Sequence, residues 1–564
     1  MYRKMLTGLM GIVLTCSAPY AQNYPKGYFR HPLDIKMELV ANFGEIRTNH
    51  WHMGLDIRTQ QRENLPMYAA ADGYIARVQV EPGGFGQAIY IAHPNGYTTL
   101  YAHMNAFYPA LAQYVKAQQY KQESWAVNLQ LPPNLFPIKK GEYIGLSGNT
   151  GGSAGPHVHF EIRDSRTDNC LNPLLFGFPI PDAVPPTINR LVMYDRHKST
   201  YHQAPQTLAL RRAGAAYTTS PSNTIVVGSN KLSFAVGAID RFSGTNNPNG
   251  IYSAKMWVDG ELVSGFELDD IDYDETRYQN AQLDYRWQKA GGATVQHVSP
   301  LPGDTTDLYR PLDSDGILYL RDTEPHKVRI EVRDANNNLS PIEFYVRYSG
   351  TLAPTYAAAP AERLIPNQVS VFERPDFEAH TTELTVYDTV NVTFSSRPAP
   401  AAGSASPLYT FVGSTIPVHD SLTVRIQTGL DVPFFKRDKL VVKSVAGTRT
   451  EYYKGTWQNG WIAARFRQFG TYQAFIDDTP PTINGVPTDL TRATRIVLTP
   501  RDNMGRIKSF RAELDGRWLL FTNDKHTNYI YRFDERFPPG THELKVTIED
   551  IAGNVTTRTW TVRR

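Results

Sequence analysis

Histidines cluster near the amino end of this 564-residue chain, in an arrangement suited to metal chemistry. Six of the fifteen histidines fall between His50 and His159. An imidazole nitrogen is a common ligand for transition metals, and the ring also exchanges protons near neutral pH. Since clustering alone is a weak signal, the short motifs around these histidines decide what they indicate.

The sharpest motif lies in residues 157–162, which follow a glycine-rich run. His157, His159 and the next polar residue alternate with apolar residues, as on a half-buried β-strand. The two imidazoles then share one face of the strand and lie about 7 Å apart along it. One ring can therefore bind a metal while its neighbour reaches groups bound to that metal.

Two further motifs supply the rest of a metal site. His52 precedes Asp56 by four residues, and His103 closes a short Tyr-Ala-His run. Two histidines and one aspartate suit Zn²⁺ in an open catalytic site, with water as the fourth ligand. The cluster contains no cysteine, which excludes a cysteine-rich structural zinc site. The open position indicates hydrolysis or a related Lewis-acid reaction.

Together these motifs resemble those of the lysostaphin/LytM-type zinc endopeptidases of bacterial cell walls. The resemblance runs over residues 44–173 and includes the glycine turn at 83–86. It implies an antiparallel β-sheet metallopeptidase domain that cuts peptide bonds in peptidoglycan. It also implies one Zn²⁺ per chain, with His52, Asp56 and His159 as metal ligands and with His103 and His157 serving the chemical step.

One segment departs from this family pattern. Residues 105–137 are longer than the short turn usual in the family, and residues 106–140 contain no glycine. Apolar residues near helical spacing predict a helical insertion that ends before Pro132. We expect this insertion to wall or cover one side of the substrate cleft.

Several other candidates favour plainer interpretations. No motif requires His50 or His93, so turn or surface roles are favoured. The glycine-rich residues 148–155 lack the Gly-Lys-Ser/Thr of a phosphate cradle and predict a rim loop of the groove. The alternating acids of residues 270–274 imitate a calcium loop, but Glu275 stands where glycine is needed, which favours a solvated acidic turn.

An internal repeat organises the rest of the chain. Pro-Pro-Thr-Ile-Asn at residues 185–189 recurs at residues 480–484. A predicted hairpin at 326–338 matches another at 542–554, each with alternating apolar residues around an Asn-containing turn. Such hairpins are typical of the last two strands of a β-sandwich.

The predicted fold class is mainly β. The peptidase domain, an antiparallel sheet with a helical insertion, is followed by about three immunoglobulin-like β-sandwiches. The predicted segments are a signal peptide at 1–22, the zinc peptidase domain at 23–180, an immunoglobulin-like sandwich at 181–350, a further β-sandwich at 351–476 and a last immunoglobulin-like sandwich at 477–564.

The first 22 residues have the basic start, short apolar run and small-residue exit of an export signal. We therefore expect an exported protein, periplasmic or secreted. Cys16 only loosely fits a lipoprotein cleavage box, which leaves membrane anchoring through this residue as an open alternative. Cleavage near residue 21 leaves Cys170 as the single cysteine, so no intramolecular disulfide is expected.

Composition and charge limit the classes of partner that we expect. Net charge is only +3, and the chain contains no long basic run, so a nucleic acid is not an expected partner. The expected substrate is peptidoglycan peptide, and the C-terminal units are candidates for contact with cell-envelope proteins. Two other functions stay open: a non-catalytic wall-binding or activator protein, and an adhesin or scaffold in which the β-rich tail is the working part. The sequence does not determine the oligomeric state.

Overall fold

A computed structural model describes residues 24–350, 362–428 and 432–564 of the chain. The predicted signal peptide and Cys16 lie outside the described residues. The fold is mainly β, as predicted, and none of the described helices is long and apolar enough to cross a membrane. The α-helices are α1 Pro109–Gln122, α2 Gln279–Gln282 and α3 Tyr285–Lys289, and the 3-10 turns are Pro173–Phe176, Thr200–His202, Thr276–Tyr278, Phe434–Lys439 and Asp524–His526.

We call residues 24–180 the N-terminal unit; it is built on one large antiparallel sheet. Its strands are β1 Leu39–Ala41, β2 Ile46–Arg47, β3 His50–Trp51, β4 Leu55–Arg58, β5 Pro66–Tyr68, β6 Gly73–Val80, β7 Gln87–Ala92, β8 Tyr97–Ala102, β9 Ala106–Phe107, β10 Val127–Gln130, β11 Pro137–Ile138, β12 Tyr143–Leu146, β13 His157–Asp164 and β14 Cys170–Leu171. In the sheet, neighbouring strands follow the order β1, β4, β13, β8, β7, β6 and β10.

The histidine-bearing strand β13 lies inside this sheet, between β4 and β8. The predicted strand and its alternation are confirmed, but the prediction that it is half-buried is wrong. Val158 and Phe160 on one face are fully buried, and on the other face Glu161 is also 0% exposed. The second face is covered because Tyr273, from the next unit of the chain, packs over Arg163 at its end.

The predicted helical insertion is confirmed as α1. Pro109 stands in its first turn, where the missing N–H costs nothing, and Glu123 ends it in a left-handed conformation with φ +46°. The chain then returns as β10, which pairs with β6 and extends the edge of the sheet. The insertion therefore adds a helix and an edge strand to the N-terminal unit.

The second unit, residues 181–350, contains a five-stranded and a seven-stranded sheet. Its strands are Thr187–Asp195, Gln206–Leu208, Leu210–Ala213, Ala216–Thr219, Thr224–Val227, Lys231–Ile239, Ser253–Val258, Glu261–Glu267, Asp270–Ile271, Gln296–His297, Leu318–Tyr319, Pro325–Arg333 and Leu339–Tyr348. This unit is joined firmly to the first, because β14 pairs with Asp270–Ile271 and the buried Trp51 ring donates a 2.8 Å hydrogen bond to Gln282.

The third unit, described over residues 362–428 and 432–476, contains two five-stranded sheets. Its strands are Arg363–Leu364, Ser370–Arg374, Phe377–Thr381, Val390–Asn391, Phe394–Arg397, Leu408–Phe411, Leu422–Gln427, Leu440–Ala446, Arg449–Lys454, Thr456–Gln458, Trp461–Phe466 and Gly470–Ile476. The last unit, residues 477–564, has a four-stranded and a two-stranded sheet. Its strands are Arg495–Leu498, Ile507–Leu514, Arg517–Trp518, Tyr529–Arg532, Thr541–Asp550 and Val555–Arg563.

The predicted repeat hairpins are present in the second and last units. Pro325–Arg333 pairs with Leu339–Tyr348, and Thr541–Asp550 pairs with Val555–Arg563, both antiparallel. The unit boundaries and the immunoglobulin-like character of these units stay predictions.

The last unit returns to the N-terminal unit and docks on α1. Tyr120 packs edge to face against Trp518, with ring centroids 5.4 Å apart. Lys116 forms a 2.7 Å ion pair with Asp534. Because an aromatic contact and an ion pair lie side by side here, the insertion serves as a docking surface for the end of the chain.

The hydroxyl of Tyr101 offers a test of the core below the sheet. This fully buried oxygen accepts hydrogen bonds from the Ala70 N–H at 2.7 Å and from Thr99 at 3.0 Å. Tyr101→Phe leaves the buried N–H without a partner, so we expect the N-terminal unit to lose about 1–3 kcal/mol of stability. Thermal unfolding should show a lower midpoint, whereas Tyr143→Phe, at an exposed ring, should leave it unchanged. Equal midpoints for both variants would contradict this role.

Candidate active site

Three predicted residues converge on one point beside β13. His52 Nε2 lies 2.9 Å from Asp56 Oδ1 and 3.0 Å from His159 Nδ1, and the latter two atoms are 3.0 Å apart. All three side chains are buried. Ligand atoms arranged tetrahedrally around Zn²⁺ stand roughly 3.3 Å from one another, so this triangle has nearly the size that one zinc ion needs.

Strand register brings these residues together. β4 and β13 are antiparallel neighbours, and Asp56 is the direct partner of His159 across the pair. His52 reaches the same point from the turn that precedes β4. That turn passes very close to β13, because a Cβ on Gly54 would stand only 2.5 Å from the Phe160 carbonyl oxygen. A side chain at this position would push the two strands apart.

The outer nitrogens of the two ligand rings are held by hydrogen-bond acceptors. His52 Nδ1 lies 2.8 Å from the carbonyl oxygen of Asn42, and His159 Nε2 lies 2.8 Å from Glu161 Oε1. Since these oxygens only accept, each outer nitrogen carries the proton. In the neutral rings both inner nitrogens then direct lone pairs at each other and at Asp56. The donor set fits a cation at this point.

The pKa shifts of Asp56 and His159 also show that positive charge is favoured at this point. Burial by itself raises the pKa of Asp56, but the charge of His52 and hydrogen bonding with His157, His159 and His52 hold it well below its usual range. Burial likewise lowers the pKa of His159, but hydrogen bonds with Asp56 and Glu161 outweigh it and raise the pKa to about 9. Without metal, His159 therefore takes up a proton between two carboxylates.

Glu161 is a supporting residue that sequence reasoning had not assigned a role. It is fully buried, and Arg163 holds its other oxygen at 2.7 Å. Burial alone raises the pKa of Glu161, but the charge of Arg163 outweighs it and lowers the pKa to about 2. This carboxylate is thus ionised at physiological pH, and it fixes the tautomer of His159. Its place two residues after His159, on the same strand face, is a signal the sequence did contain.

Arg47 is a second residue that the sequence did not single out. Its guanidinium lies 3.2 Å from Asp56 Oδ2, the carboxylate oxygen that faces away from the two ligand rings. It also lies 3.3 Å from Glu45. Arg47 therefore occupies one oxygen of Asp56 and leaves the other for the metal position.

His103 and His157 flank the triangle, with ring centroids 4.7 Å apart. His103 Nδ1 donates to the Thr150 carbonyl oxygen and His157 Nδ1 to the Gly155 carbonyl oxygen, both at 2.8 Å. His157 Nε2 lies 3.3 Å from Asp56 Oδ1. Burial and the charges of the neighbouring histidines lower the pKa of His103 to about 3, so this ring is neutral at physiological pH.

The site opens into a cleft of about 930 Å³. The five predicted site residues line it, together with Phe85, residues 152–155 and Tyr273. The glycine-rich segment is therefore a rim loop, as predicted. Among the described residues that line the cleft, none comes from residues 105–137. The prediction that the insertion walls the cleft is wrong, because its helix and strand extend the far edge of the sheet.

The two histidines that no motif required stand apart from the triangle. His50 is exposed at the edge of the cleft, with Nδ1 3.0 Å from the Thr48 carbonyl oxygen. His93 is buried, and its ring lies between the Asp72 carbonyl oxygen and the Thr99 hydroxyl. The His93 carbonyl oxygen accepts a hydrogen bond from the Gly96 N–H in the turn between β7 and β8, so the predicted turn role is confirmed. A surface role is wrong, because the His93 side chain is buried.

The last unit reaches the rim of this cleft, which no sequence pattern indicated. Asp524 accepts a 2.7 Å hydrogen bond from the Gly151 N–H, and the Lys525 N–H donates to the Pro82 carbonyl oxygen at 2.7 Å. Lys525 Nζ also donates to the Ser153 carbonyl oxygen at 2.7 Å. Residues 524–525 therefore tie together the two glycine-rich loops that border the histidine site.

Comparison with known proteins places this site in a family. Residues 50–120 match the model described as peptidase family M23, and residues 361–477 match a Zu5-like domain. The M23 match contains His52, Asp56 and His103, whereas His157 and His159 lie beyond it. This chain therefore carries a domain of peptidase family M23, and the resemblance to lysostaphin/LytM-type peptidases is confirmed.

Individual relatives match the same part of the chain. A DD-carboxypeptidase/endopeptidase of Neisseria meningitidis is 32% identical over 158 residues, 28% of this chain and 27% of the relative. The peptidoglycan DD-endopeptidase ShyA of Vibrio cholerae is 27% identical over 166 residues, 28% of this chain and 32% of the relative. The crystal structure of a zinc-containing peptidase from Vibrio cholerae, 25% identical, covers 24% of this chain and 37% of its own, with a TM-score of 0.18. This chain thus spans about a third or less of the length of the Neisseria and ShyA relatives.

Glu161→Gln tests whether Glu161, by holding His159, contributes to zinc affinity. The amide cannot hold the Nε2 proton of His159 as a carboxylate does, so we expect zinc affinity to fall about 10–100-fold. Competition with a chromophoric chelator measures this affinity. Asp168→Asn is the matched control, because Asp168 binds Arg163 at 3.0 Å without touching His159. Equal zinc affinity in Glu161→Gln and wild type would contradict the role of Glu161.

Proposed function

We propose that this chain is an exported zinc-dependent endopeptidase that hydrolyses peptide bonds in peptidoglycan. His52, Asp56 and His159 hold one Zn²⁺, and His103 and His157 serve the chemical step. The observation that carries the proposal is the triangle of two imidazole nitrogens and one carboxylate oxygen, each within 3.0 Å of the others in a buried wall of an open cleft.

The chemistry follows from the donor set and the free histidines. Zn²⁺ supplies Lewis acidity, which lowers the pKa of water and polarises a carbonyl group. The Nδ1 protons of His103 and His157 are committed to backbone carbonyl oxygens, so in the neutral rings each Nε2 is left to accept a proton. One ring can take the proton of the attacking water, and the protonated ring can then donate to the amide nitrogen that leaves.

The proposed substrate comes from the relatives and from the shape of the site. The Vibrio relative is named a peptidoglycan DD-endopeptidase, and the Neisseria relative a DD-carboxypeptidase/endopeptidase. An open cleft bordered by glycine-rich loops suits an extended peptide better than a small enclosed ligand. Such a substrate lies in the cell envelope, in agreement with the export signal predicted for residues 1–22.

The decisive experiment is digestion of purified peptidoglycan, with the released muropeptides identified by mass spectrometry. We expect wild-type protein to cut peptide bonds, and His157→Ala to be slower by about 10²–10⁴-fold, because it loses a proton-transfer group. His380→Ala, in the third unit, is the histidine control and should retain full activity.

The zinc content of the variants distinguishes the proposed metal ligands from the residues proposed to serve the chemical step. His157→Ala should retain one zinc per chain, whereas His159→Ala should lose it, and chelation should abolish cutting by wild type. If folded, zinc-loaded wild-type protein releases no muropeptides, or if His157→Ala cuts as fast as wild type, the proposed function is wrong.

The rim contact of the last unit gives a further prediction. Lys525→Ala removes the hydrogen bonds from Nζ to Ser153 and Asn149 without touching the metal position. We expect KM for peptidoglycan fragments to rise several-fold while kcat stays within about twofold. This is the result when a variant weakens the binding of the substrate and of the transition state equally. Lys508→Ala, which removes an ion pair with Glu549 elsewhere in the same unit, is the control. A change confined to kcat would contradict a role in shaping the rim.

A further inference from the structure

Two groups of three aspartates lie away from the histidine site, at equivalent places in the repeated second and last units. In each group, one carboxylate oxygen of every member lies within 4.8 Å of the others. The first group is Asp182, Asp240 and Asp334, and the second is Asp477, Asp502 and Asp550. Within the part of the chain that the structure describes, the acidic residues 270–274, which imitate a calcium loop in sequence, form no such group, and Asp270–Ile271 is a strand paired with β14.

The first group is organised by Asn338. Its backbone N–H donates to Asp334 Oδ1 at 2.8 Å, and its side-chain amide donates to Asp334 Oδ2 at 2.7 Å. The same amide lies 3.4 Å from the carbonyl oxygen of Asp182. Asp240 closes the group from an adjacent strand end, where it pairs across an antiparallel bridge with Asn249.

The second group repeats this arrangement. Asn554 donates its backbone N–H to Asp550 Oδ1 and its side-chain amide to Asp550 Oδ2, both at 2.8 Å. Its amide also lies 2.9 Å from the carbonyl oxygen of Asp477. The same hydrogen bonds thus recur at positions more than 200 residues apart in the chain. The arrangement belongs to the repeat and not to one accidental surface.

Both groups contain buried carboxylate oxygens without a hydrogen-bond partner. Asp240 is only 1% exposed and its Oδ1 is unpartnered, as is the buried Oδ2 of Asp182. Asp477 is also 1% exposed with an unpartnered Oδ2, and Oδ1 of Asp502 is in the same state. A buried polar atom without a partner costs free energy, and a buried unpaired charge costs more.

Basic side chains compensate for these charges only in part, since the charge of Arg241 lowers the pKa of Asp240 without outweighing burial and the neighbouring carboxylates. Within the described ranges, no Lys, Arg or His forms an ion pair with any of the six aspartates. Burial and the neighbouring carboxylates of Asp334 and Asp182 raise the pKa of Asp240 to about 8. Each aspartate group is therefore stable only if some of its carboxylates are protonated or a cation is bound.

We propose that each group binds one Ca²⁺. The candidate ligand atoms within each group are carboxylate oxygens. Beside the first group, Asn249, which is bridged to Asp240, also has a buried Oδ1 without a hydrogen-bond partner. Oxygen-only ligation with several carboxylates is what hard cations require, and Ca²⁺ accepts the irregular geometry of a loop-built site more readily than Mg²⁺.

The two Ca²⁺ positions lie at the junctions where the chain enters the second unit and the last unit. Asp182 lies just before the Pro185 segment that enters the second unit, and Asp477 lies just after strand Gly470–Ile476 of the third unit. In the first group, Asp240 and Asp334 directly follow strands Lys231–Ile239 and Pro325–Arg333. In the second group, Asp550 ends strand Thr541–Asp550, and Asp502 follows the bridge between Thr482 and Arg501. A bound Ca²⁺ therefore ties each entering linker to the unit it enters and stiffens the junction.

Calcium binding by the full-length chain tests the proposal directly. Equilibrium dialysis with radioactive Ca²⁺ should give two saturable ions per chain in wild type, one in Asp240→Asn, one in Asp502→Asn and none in the double variant. Asp274→Asn, in the exposed acidic turn, is the matched control and should still bind two. Absence of saturable binding to folded protein, or unchanged binding in both single variants, would overturn the proposal.

Thermal unfolding supplies a readout that a purely structural role would not give. In calcium-free buffer, Asp240→Asn removes a carboxyl group whose ionised form is opposed by burial and by Asp334 and Asp182, so it should raise the unfolding midpoint or leave it unchanged. In saturating Ca²⁺ the same variant should unfold several degrees below wild type. An equal decrease in both buffers would show that Asp240 acts through hydrogen bonds alone and would overturn calcium binding at the first group. Neither measurement depends on peptidase activity, so the outcome is separate from that of the proposed function.

Discussion

The site depends above all on the register between strands β4 and β13. This pairing sets Asp56 opposite His159 and brings the turn that carries His52 to the same point. Because side chains alternate between the two faces of a strand, a slip of one residue would move His159 to the opposite face. Apolar packing of Phe160 and Ile57 beneath the sheet excludes that slip, since a shift would bury polar residues in their place. The chemistry is thus positioned by the core and not by the polar residues themselves.

Support for this register comes from other units as well as from the N-terminal unit. Asn42, which holds the outer nitrogen of His52, exchanges two hydrogen bonds with Gly250 of the second unit. Trp51, next to His52, is locked by Gln282 of the same unit. The last unit then binds the rim loops through Lys525. The β-rich tail is therefore structurally continuous with the cleft, which argues against treating it as an independent scaffold.

One electrostatic rule accounts for the proposed zinc site and for the two proposed calcium sites. In each, buried atoms carrying lone pairs or negative charge lie within 5 Å of one another. Acceptors hold the outer nitrogens of His52 and His159, whereas the N–H groups and side-chain amides of Asn338 and Asn554 hold the carboxylates of Asp334 and Asp550. Such an arrangement is stable only with positive charge at its centre. The zinc site and the calcium sites differ in their ligands. Imidazole nitrogens with one carboxylate suit Zn²⁺, whereas oxygens alone suit Ca²⁺.

The sequence by itself determined features that rest on local periodicity and motif order: strand β13 with its two histidines, helix α1, the repeated hairpins and the resemblance to lysostaphin/LytM-type peptidases. These signals are short-range, so they survive without knowledge of the fold. Only the tertiary structure decided how the units close around the site. It buried both faces of β13, turned the insertion away from the cleft and placed Lys525 on the rim. It also gathered Asp182, Asp240 and Asp334, which no motif links, because contacts between residues so distant in the chain are fixed by strand pairing and unit packing.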